Sequence, residues 1–449
     1  MWQVIFPKNL FEDLNKFLFD IAPSENGCFL LANSYRTKDG KPIIIITGVI
    51  KPDDSSWNSS GAHSLEPSST FINKSVVTAD VNSSSLIFVH THPNPMHPAK
   101  FSLIDEQSNE RIFANLSQIL TGRPLGSFVF SRHGMYGIIF DKNKQQPVSN
   151  IKVSGNTIYE FPCIGSDSKS YKEDPMFDRQ IRALGKQNQK RLQELKVTII
   201  GAGGTGSPLA VQLARMGIKK IRLVDRDILD KTNIPRVYGS TENDIDKSKV
   251  SILKKHIESF SKTNVEILQV DVAKDDVASI IVDSDVIFSC TDNLLSRSIL
   301  NDISLQYYIP LIDVGCRIHL NKDGSISQAI MKVQTVTPDG ACLWCTGTLD
   351  GKLIMQEESL TSEEKKKLAK EGYYEDIEKQ PSIISMTTMV ASMAINKLLN
   401  LLGVFGPDYS SMTQIELKDG FMIDANPKIK ENCICEKKRG NPSLKTKGG

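Results

Sequence analysis

The chain has 449 residues, 40% hydrophobic and 24% charged, enough for two or three domains with ample core. Its 54 basic and 52 acidic residues leave a net charge of +2, which excludes the strong basic bias of a nucleic-acid binder. The longest apolar run, Ile43 to Ile50, is broken by Thr47 and Gly48 and is too short to span a bilayer; with no basic-then-apolar leader at the start, the expectation is a cytoplasmic protein without membrane partners.

Residues 1 to about 145 alternate short strands with one clear helix, on which Leu10, Phe11, Leu14, Phe17 and Leu18 recur at helical spacing. Polar, Ser-rich stretches at 53–60 and 82–85 read as loops. Ser85 to His92 is an apolar strand ending in two histidines. Residues two apart on a strand share a face, so His90 and His92 converge as two metal ligands should. Ser102 to Asp105 follows as a helix start, and Asp105 supplies an oxygen ligand. Two histidines, an aspartate and a water make an open site of the catalytic Zn²⁺ type, in which the water's pKa falls toward about 7 and a general base moves its proton. Glu25, just before an apolar strand, is the candidate base, with Glu66 a weaker one.

This set resembles the JAMM/MPN metalloproteases, zinc isopeptidases that cut ubiquitin-like proteins after their terminal glycine. The resemblance implies an α/β domain in which His90, His92 and Asp105 bind zinc, Glu25 is the acid/base and Ser102 supports the oxyanion. Nine residues separate His92 from Ser102, a longer gap than the family usually has, and within it His97 is a possible competing ligand. The alternative is an inactive scaffold of the same fold.

Asp141 to Gln146, then Pro147, reads as an exit from this domain, which places it at 1–150, with a polar linker at 151–175. From 176 to 436, apolar strands at 197–200, 221–224, 265–271, 285–290 and 310–314 alternate with helices, the pattern of a mostly parallel sheet. The loop containing Gly201, Gly203, Gly204 and Gly206 leaves the first of these strands and enters a helix, the arrangement of a phosphate cradle. With Asp225 ending the next strand, the loop alone matches a dinucleotide fingerprint and predicts a dehydrogenase.

The residues that follow point elsewhere: Asn233 and Arg236, Lys249 at the opening of a helix, and Asp292 in Ser289-Cys290-Thr291-Asp292-Asn293 at a strand end. Together with the lead-in Phe177-Asp178-Arg179-Gln180-Ile181, this order resembles the ThiF/MoeB family and the adenylation domains of ubiquitin-activating enzymes. The resemblance implies a Rossmann-like domain that uses ATP and Mg²⁺ to adenylate the C-terminal glycine of a ubiquitin-like or sulfur-carrier protein ending in Gly-Gly. Asp225 would hold the ribose, Asn233, Arg236 and Lys249 the phosphates, and Asp292 the Mg²⁺. Arg179 would reach the nucleotide of a second subunit, which implies a homodimer. The rivals are an adenylating enzyme for a small molecule or short peptide, and a binding module with both sites degenerate.

Of eight cysteines, Cys342, Cys345, Cys433 and Cys435 form two close pairs that suit a structural Zn²⁺. The ThiF/MoeB family carries such a site, although the single residue between Cys433 and Cys435 is tighter than its usual spacing. A thioester-forming relative would place a cysteine in the crossover loop, here about 346–380, which contains none. The chain is therefore expected to stop at the adenylate, to pass it to a separate conjugating enzyme or sulfur donor, or to use a hydroxyl such as Ser382 or Ser385. Residues 437–449 read as a basic disordered tail ending in Gly448-Gly449.

Overall fold

The computed structural model describes residues 1–61, 65–94, 99–132, 134–142, 144–163, 173–273, 277–360, 364, 381–406 and 408–443. His97, residues 164–172 of the expected linker, residues 365–380 of the expected crossover loop and the terminal glycine pair lie outside them. The chain divides into two compact units, one built on Met1–Ser170 and one on Tyr171–Lys438. No helix among the described residues is long and apolar enough to cross a membrane.

The first unit runs β1 (Trp2–Pro7), α1 (Lys8–Phe19), β2 (Gly27–Arg36), β3 (Pro42–Ile50), β4 (Trp57–Ser60), β5 (Leu65–Pro67), α2 (Ser69–Val81), β6 (Ser85–His92), α3 (Leu103–Ile119), β7 (Leu125–Ser131), β8 (Gly134–Asp141), β9 (Lys144–Ser154) and β10 (Tyr159–Pro162). Its large sheet has the order β1-β3-β2-β6-β7-β8-β9-β10, and β1 also pairs with β9, so the strands close into a barrel. The exit expected at 141–147 is corrected by this closure. The start of β9 pairs with β8 at Ile138↔Pro147, while its later residues pair with β1 from Trp2↔Val148 to Pro7↔Ser154. In the first part of the expected linker, 151–154 and 159–162 are likewise strand rather than coil, because β10 pairs with β9.

Alternation along the strands supplies two apolar layers. Ile87 and Val89 of β6 join Phe6, Phe128 and the α1 residues Phe11, Leu14 and Leu18. Leu86 and Phe88, on the other face, pack with Phe71 and Val76 of α2 and with Phe113 and Leu116 of α3. Helix α2 is an addition to the single clear helix expected before residue 100; its N-cap is Ser68, whose side chain accepts from the Phe71 N–H. Its many β-branched residues, Thr70, Ile72, Val76, Val77, Thr78 and Val81, weaken the helical signal in sequence.

The second unit runs α4 (Asp178–Leu184), α5 (Lys186–Glu194), β11 (Lys196–Ile200), α6 (Gly206–Arg215), β12 (Lys220–Val224), α7 (Lys249–Glu258), β13 (Asn264–Leu268), α8 (Ala278–Ile281), β14 (Val286–Ser289), α9 (Leu294–Tyr307), β15 (Leu311–Leu320), β16 (Ile326–Val336), α10 (Gly351–Ser359), α11 (Ile384–Leu401), β17 (Met412–Glu416), β18 (Phe421–Ala425) and α12 (Cys435–Lys438). The sheet order is β13-β12-β11-β14-β15-β16-β17-β18. The first five strands are parallel, and the last three join antiparallel. Strand β13 stops at Leu268 instead of 271, and β15 runs on to Leu320 because β16 pairs along its whole length. Residues 413–423 form the expected hairpin, turning at Gly420 with φ +69°. The tail expected from 437 is corrected at its start: Lys437 and Lys438 complete α12, and the Lys438 ammonium pairs with Asp302.

Phe128 is fully buried, and a Cβ on Gly137 of the adjacent strand would fall 2.5 Å from its ring. Phe128→Ala is expected to cost the first unit about 3–5 kcal/mol, read as an earlier transition in urea followed by far- and near-UV circular dichroism.

Candidate functional site

In the first unit the end of β6 is held on both sides. Gly27 of β2 lies opposite His90, and β7 runs parallel on the other edge with His92 level with Ser131. Beyond β2 the grip continues through Asn26: its N–H donates to Thr91 Oγ1 at 2.9 Å, and the Thr91 N–H donates to the Asn26 carbonyl at 2.9 Å. This fixes Glu25 beside the strand end, with its Oε1 3.9 Å from His92 Nε2. The sequence contained Asn26 and Thr91 but no signal that they pair, because the contact exists only once β2 and β6 lie side by side.

Asp105 arrives from α3. Its Oδ2 accepts from the Ser102 N–H at 2.7 Å and the Ser102 hydroxyl at 2.7 Å, while the Asp105 N–H donates to Ser102 Oγ at 3.2 Å. This reciprocal cap starts the helix and aims the carboxylate. Asp105 Oδ1 lies 3.3 Å from His90 Nε2, and Oδ2 lies 3.4 Å from His92 Nε2. A tetrahedral ion with ligands at 2.0–2.1 Å separates its donors by about 3.4 Å, so the three side chains fit one. His90 is buried and no hydrogen bond occupies its Nε2, which leaves that nitrogen available as a ligand atom. Burial opposes ionisation of Asp105, but the His90 and His92 imidazoles facing its carboxylate outweigh it and hold the carboxyl well below its ordinary range. Glu66, the weaker candidate base, pairs with Arg111 at 3.6 Å.

In the second unit the sheet order reverses direction between β11 and β14, and loops at the carboxyl ends of these strands form the crevice where such sheets bind ligands. Gly201 has φ +95°, and a Cβ there would meet the Cys290 carbonyl at 2.6 Å. A Cβ on Gly206 would stand 1.8 Å from the Gly201 oxygen, so the helix start presses directly on the loop. A Cβ on Gly204 would meet the Arg236 side chain at 2.9 Å, which places that guanidinium's stem against the loop. Asp225 ties the loop to β12: its Oδ2 accepts from the Ala202 N–H at 2.6 Å, its Oδ1 from the Asp227 N–H at 2.9 Å. Burial nonetheless pushes its carboxyl above the ordinary value, against the pull of those hydrogen bonds.

Lys249 opens α7 as expected, with its ammonium 2.9 Å from Asp227 Oδ2. Asn233 closes a 3-10 turn, its Oδ1 accepting from the Asp230 N–H at 3.3 Å. Asp292 is exposed just past β14, and Asn293, not Asp292, caps α9. Arg179 is exposed on α4. Glu357 of α10 was missed: its two carboxylate oxygens accept from the Leu294 and Leu295 N–H groups at 3.1 and 2.8 Å, laying α10 beside the start of α9.

The four paired cysteines converge. Sγ separations are 3.6 Å for Cys342–Cys345 and 3.8 Å for both Cys342–Cys433 and Cys345–Cys435. A tetrahedral ion with sulfur at 2.3 Å sets these edges at about 3.8 Å, whereas a disulfide needs about 2.05 Å. The Lys430 N–H donates to Cys345 Sγ at 3.4 Å, and Leu343, between the first pair, is held by Asn301 Oδ1 at 2.9 Å. The tight Cys433-Ile434-Cys435 spacing closes because Cys435 begins the turn of α12.

Residues 177–437 match the model of the ThiF family, more than half of the chain. The chain belongs to the ThiF family. Among relatives, this ThiF-family chain is 40% identical over 121 residues to the probable molybdopterin-synthase adenylyltransferase of Porphyra purpurea, covering 27% of this chain and 32% of that protein. It is 28% identical over 163 residues to the SAMP-activating enzyme E1 of Haloferax volcanii, covering 36% of this chain and 57% of that protein. It thus spans between about a third and somewhat over half of these relatives' lengths. A solved structure of Escherichia coli MccB with AMPCPP and MccA superposes with a TM-score of 0.47 at 19% identity, covering 61% of this chain and 76% of that one.

Gly206→Ala forces the loop from the Gly201 oxygen. The expected result is a thermal midpoint for the second unit lowered by several degrees, at roughly 2–4 °C per kcal/mol, with nucleotide affinity lost in calorimetry.

Proposed function

We propose that the second unit adenylates the C-terminal glycine of a ubiquitin-like or sulfur-carrier protein. What supports this reading is the glycine loop with Asp225 bonded to it and Arg236 against it, together with Lys249 paired with Asp227 past the end of β12 and Asp292 just past β14. The substrate carboxylate attacks the α-phosphorus of ATP, the bond to the bridging oxygen breaks, and pyrophosphate leaves. The loop N–H groups and the start of α6 favour the phosphates. Asp225 orients the ribose, Arg236, Lys249 and Asn233 balance the triphosphate charge, and Asp292 would hold the Mg²⁺ that supplies further positive charge. Arg179, exposed, would serve the nucleotide of a second copy, so the working form is a homodimer.

The reaction ends at the adenylate in this chain. Burial pushes the Cys163 thiol up to about 12 and that of Cys316 up to about 11. Burial drives Cys28 and Cys290 higher still, so none of these four is an activated nucleophile. A separate conjugating enzyme or sulfur donor takes the product.

The first unit, on this reading, is a JAMM-type peptidase acting on the same class of protein. His90, His92 and Asp105 would hold Zn²⁺, which when bound acidifies a water and polarises a carbonyl. Glu25 stands within reach to take the water's proton and pass it to the leaving nitrogen. Cys342, Cys345, Cys433 and Cys435 would hold a second, structural zinc.

Pyrophosphate exchange that depends on a protein ending in Gly-Gly supports the adenylation reading; exchange driven by a free amino acid overturns it. Asp292→Ala should lower exchange by a hundredfold or more while leaving amide cleavage intact, and Glu25→Ala should do the reverse. If either change abolishes both activities in a folded protein, the two-site reading fails. Elemental analysis should find about two zinc ions per chain, one lost in Cys345→Ser and the other in His90→Ala.

A further inference from the structure

Asp292, the carboxylate assigned above to the Mg²⁺, is exposed and stands in the short connection from Cys290 to Asn293 between β14 and α9. An exposed side chain on so short a connection is placed only as well as its backbone is. Past Asp292 the chain is fixed by the cap of α9, in which Asn293 Oδ1 accepts from the Ser296 N–H at 2.8 Å. Before it, the Cys290 N–H donates to the Ile200 carbonyl at 2.8 Å and ties the connection to the end of β11. The peptide that leads directly into Asp292 is held by a side chain of α9.

That side chain is Arg297. Its Nε and Nη2 both donate to the Thr291 carbonyl, at 3.2 and 3.0 Å, and Nη2 also donates to the Val314 carbonyl at 3.2 Å. Its Nη1 lies 3.4 Å from Asp313 Oδ2, with the two side chains 15% and 3% exposed. Hydrogen bonds from a guanidinium are charge-assisted, and shielding from water strengthens them. Strand β15 passes this group at Gly315, where a Cβ would stand 3.5 Å from both terminal nitrogens. The contact with Asp313 is the longest of the four, and two of the others go to the one carbonyl that precedes Asp292. One planar group thus joins the residue before Asp292 to two consecutive residues of β15. A lysine ammonium has no fixed fork with which to do the same.

We propose that Arg297 is a positioning residue for adenylation: by clamping the Thr291 carbonyl to β15, it sets where the Asp292 carboxylate meets the metal on the triphosphate. This assignment rests on the adenylation reading above. Arg297 acts through Asp292 and is given no contact with the nucleotide. Its loss should weaken the metal and slow the transfer, and leave the metal-free nucleotide bound as before, because the glycine loop, Asp225 and Lys249 are untouched.

The test uses the full-length chain, with Mn²⁺ as a paramagnetic stand-in for Mg²⁺ and AMPCPP as the nucleotide. Arg297→Lys keeps the charge beside Asp313 and loses the fork. Electron paramagnetic resonance should show Mn²⁺ held by the AMPCPP complex roughly tenfold more weakly than in wild type, and pyrophosphate exchange with a protein ending in Gly-Gly should slow by a similar factor. Calorimetry without metal should give AMPCPP its wild-type affinity. Adding Arg297→Lys to Asp292→Ala should weaken Mn²⁺ no further, because both changes remove one interaction. If the lysine variant does not fold, Arg297→Met with Asp313→Leu, which removes both buried charges together, carries the test with the same expected loss. A folded variant with wild-type Mn²⁺ affinity, or one that also loses metal-free AMPCPP binding, overturns the role of Arg297 and leaves the adenylation reading standing. Wild-type chain that binds ATP and catalyses no exchange with a protein ending in Gly-Gly overturns the adenylation reading, and this assignment with it.

Discussion

Two-sided pairing of β6 is the constraint on which the first unit's polar cavity rests. β2 holds one edge from Gly27↔His90 onward and β7 holds the other as far as His92↔Ser131. A strand paired on both edges and packed on both faces cannot rotate its last residues, so His90 and His92 are fixed before any ligand is present. The Asn26–Thr91 hydrogen bonds extend this rigidity to Glu25. The reciprocal Ser102–Asp105 cap supplies the remaining oxygen from a helix start, a position with little freedom of its own. Preorganisation of this kind is what binding and catalysis at a small polar centre require.

The second unit solves a similar problem with parallel strands. β11 and β14 are interior to the sheet and stay paired to their carboxyl ends, Ile200↔Ser289, where the strand order runs off in opposite directions. Glycine is needed at 201 and 206 for different reasons: the first for its positive φ beside the Cys290 carbonyl, the second because the Gly201 oxygen leaves no room for a side chain. Asp225 is half structural, since both its oxygens accept backbone N–H groups that shape the loop. Its burial is tolerable because those bonds replace the water it gives up.

Much of the geometry of both candidate sites was legible because it is local in sequence. His90 and His92 are two apart on an apolar strand, Ser102 and Asp105 cap one helix, and the glycine loop is a strand-turn-helix unit. What was misread depends on distant partners. β9 looks like a domain exit, with Asp141, Asn143 and Pro147, until β8 and β1 claim its two halves. The extension of β15 to Leu320 needs β16 beside it, and Lys437–Lys438 become helical where Lys438 finds Asp302.

The sequence by itself determined which residue types could do chemistry, the alternation of strands and helices in the second unit, and the absence of a cysteine in the crossover segment. Periodicity, motif order and composition are properties of the chain, and they survive without coordinates. Only the tertiary structure decided that four cysteines in two pairs some ninety positions apart close to 3.6–3.8 Å, and that Ser102 spends its proton on Asp105. Each is a matter of which polar atom meets which across long sequence separations, and packing alone sets that.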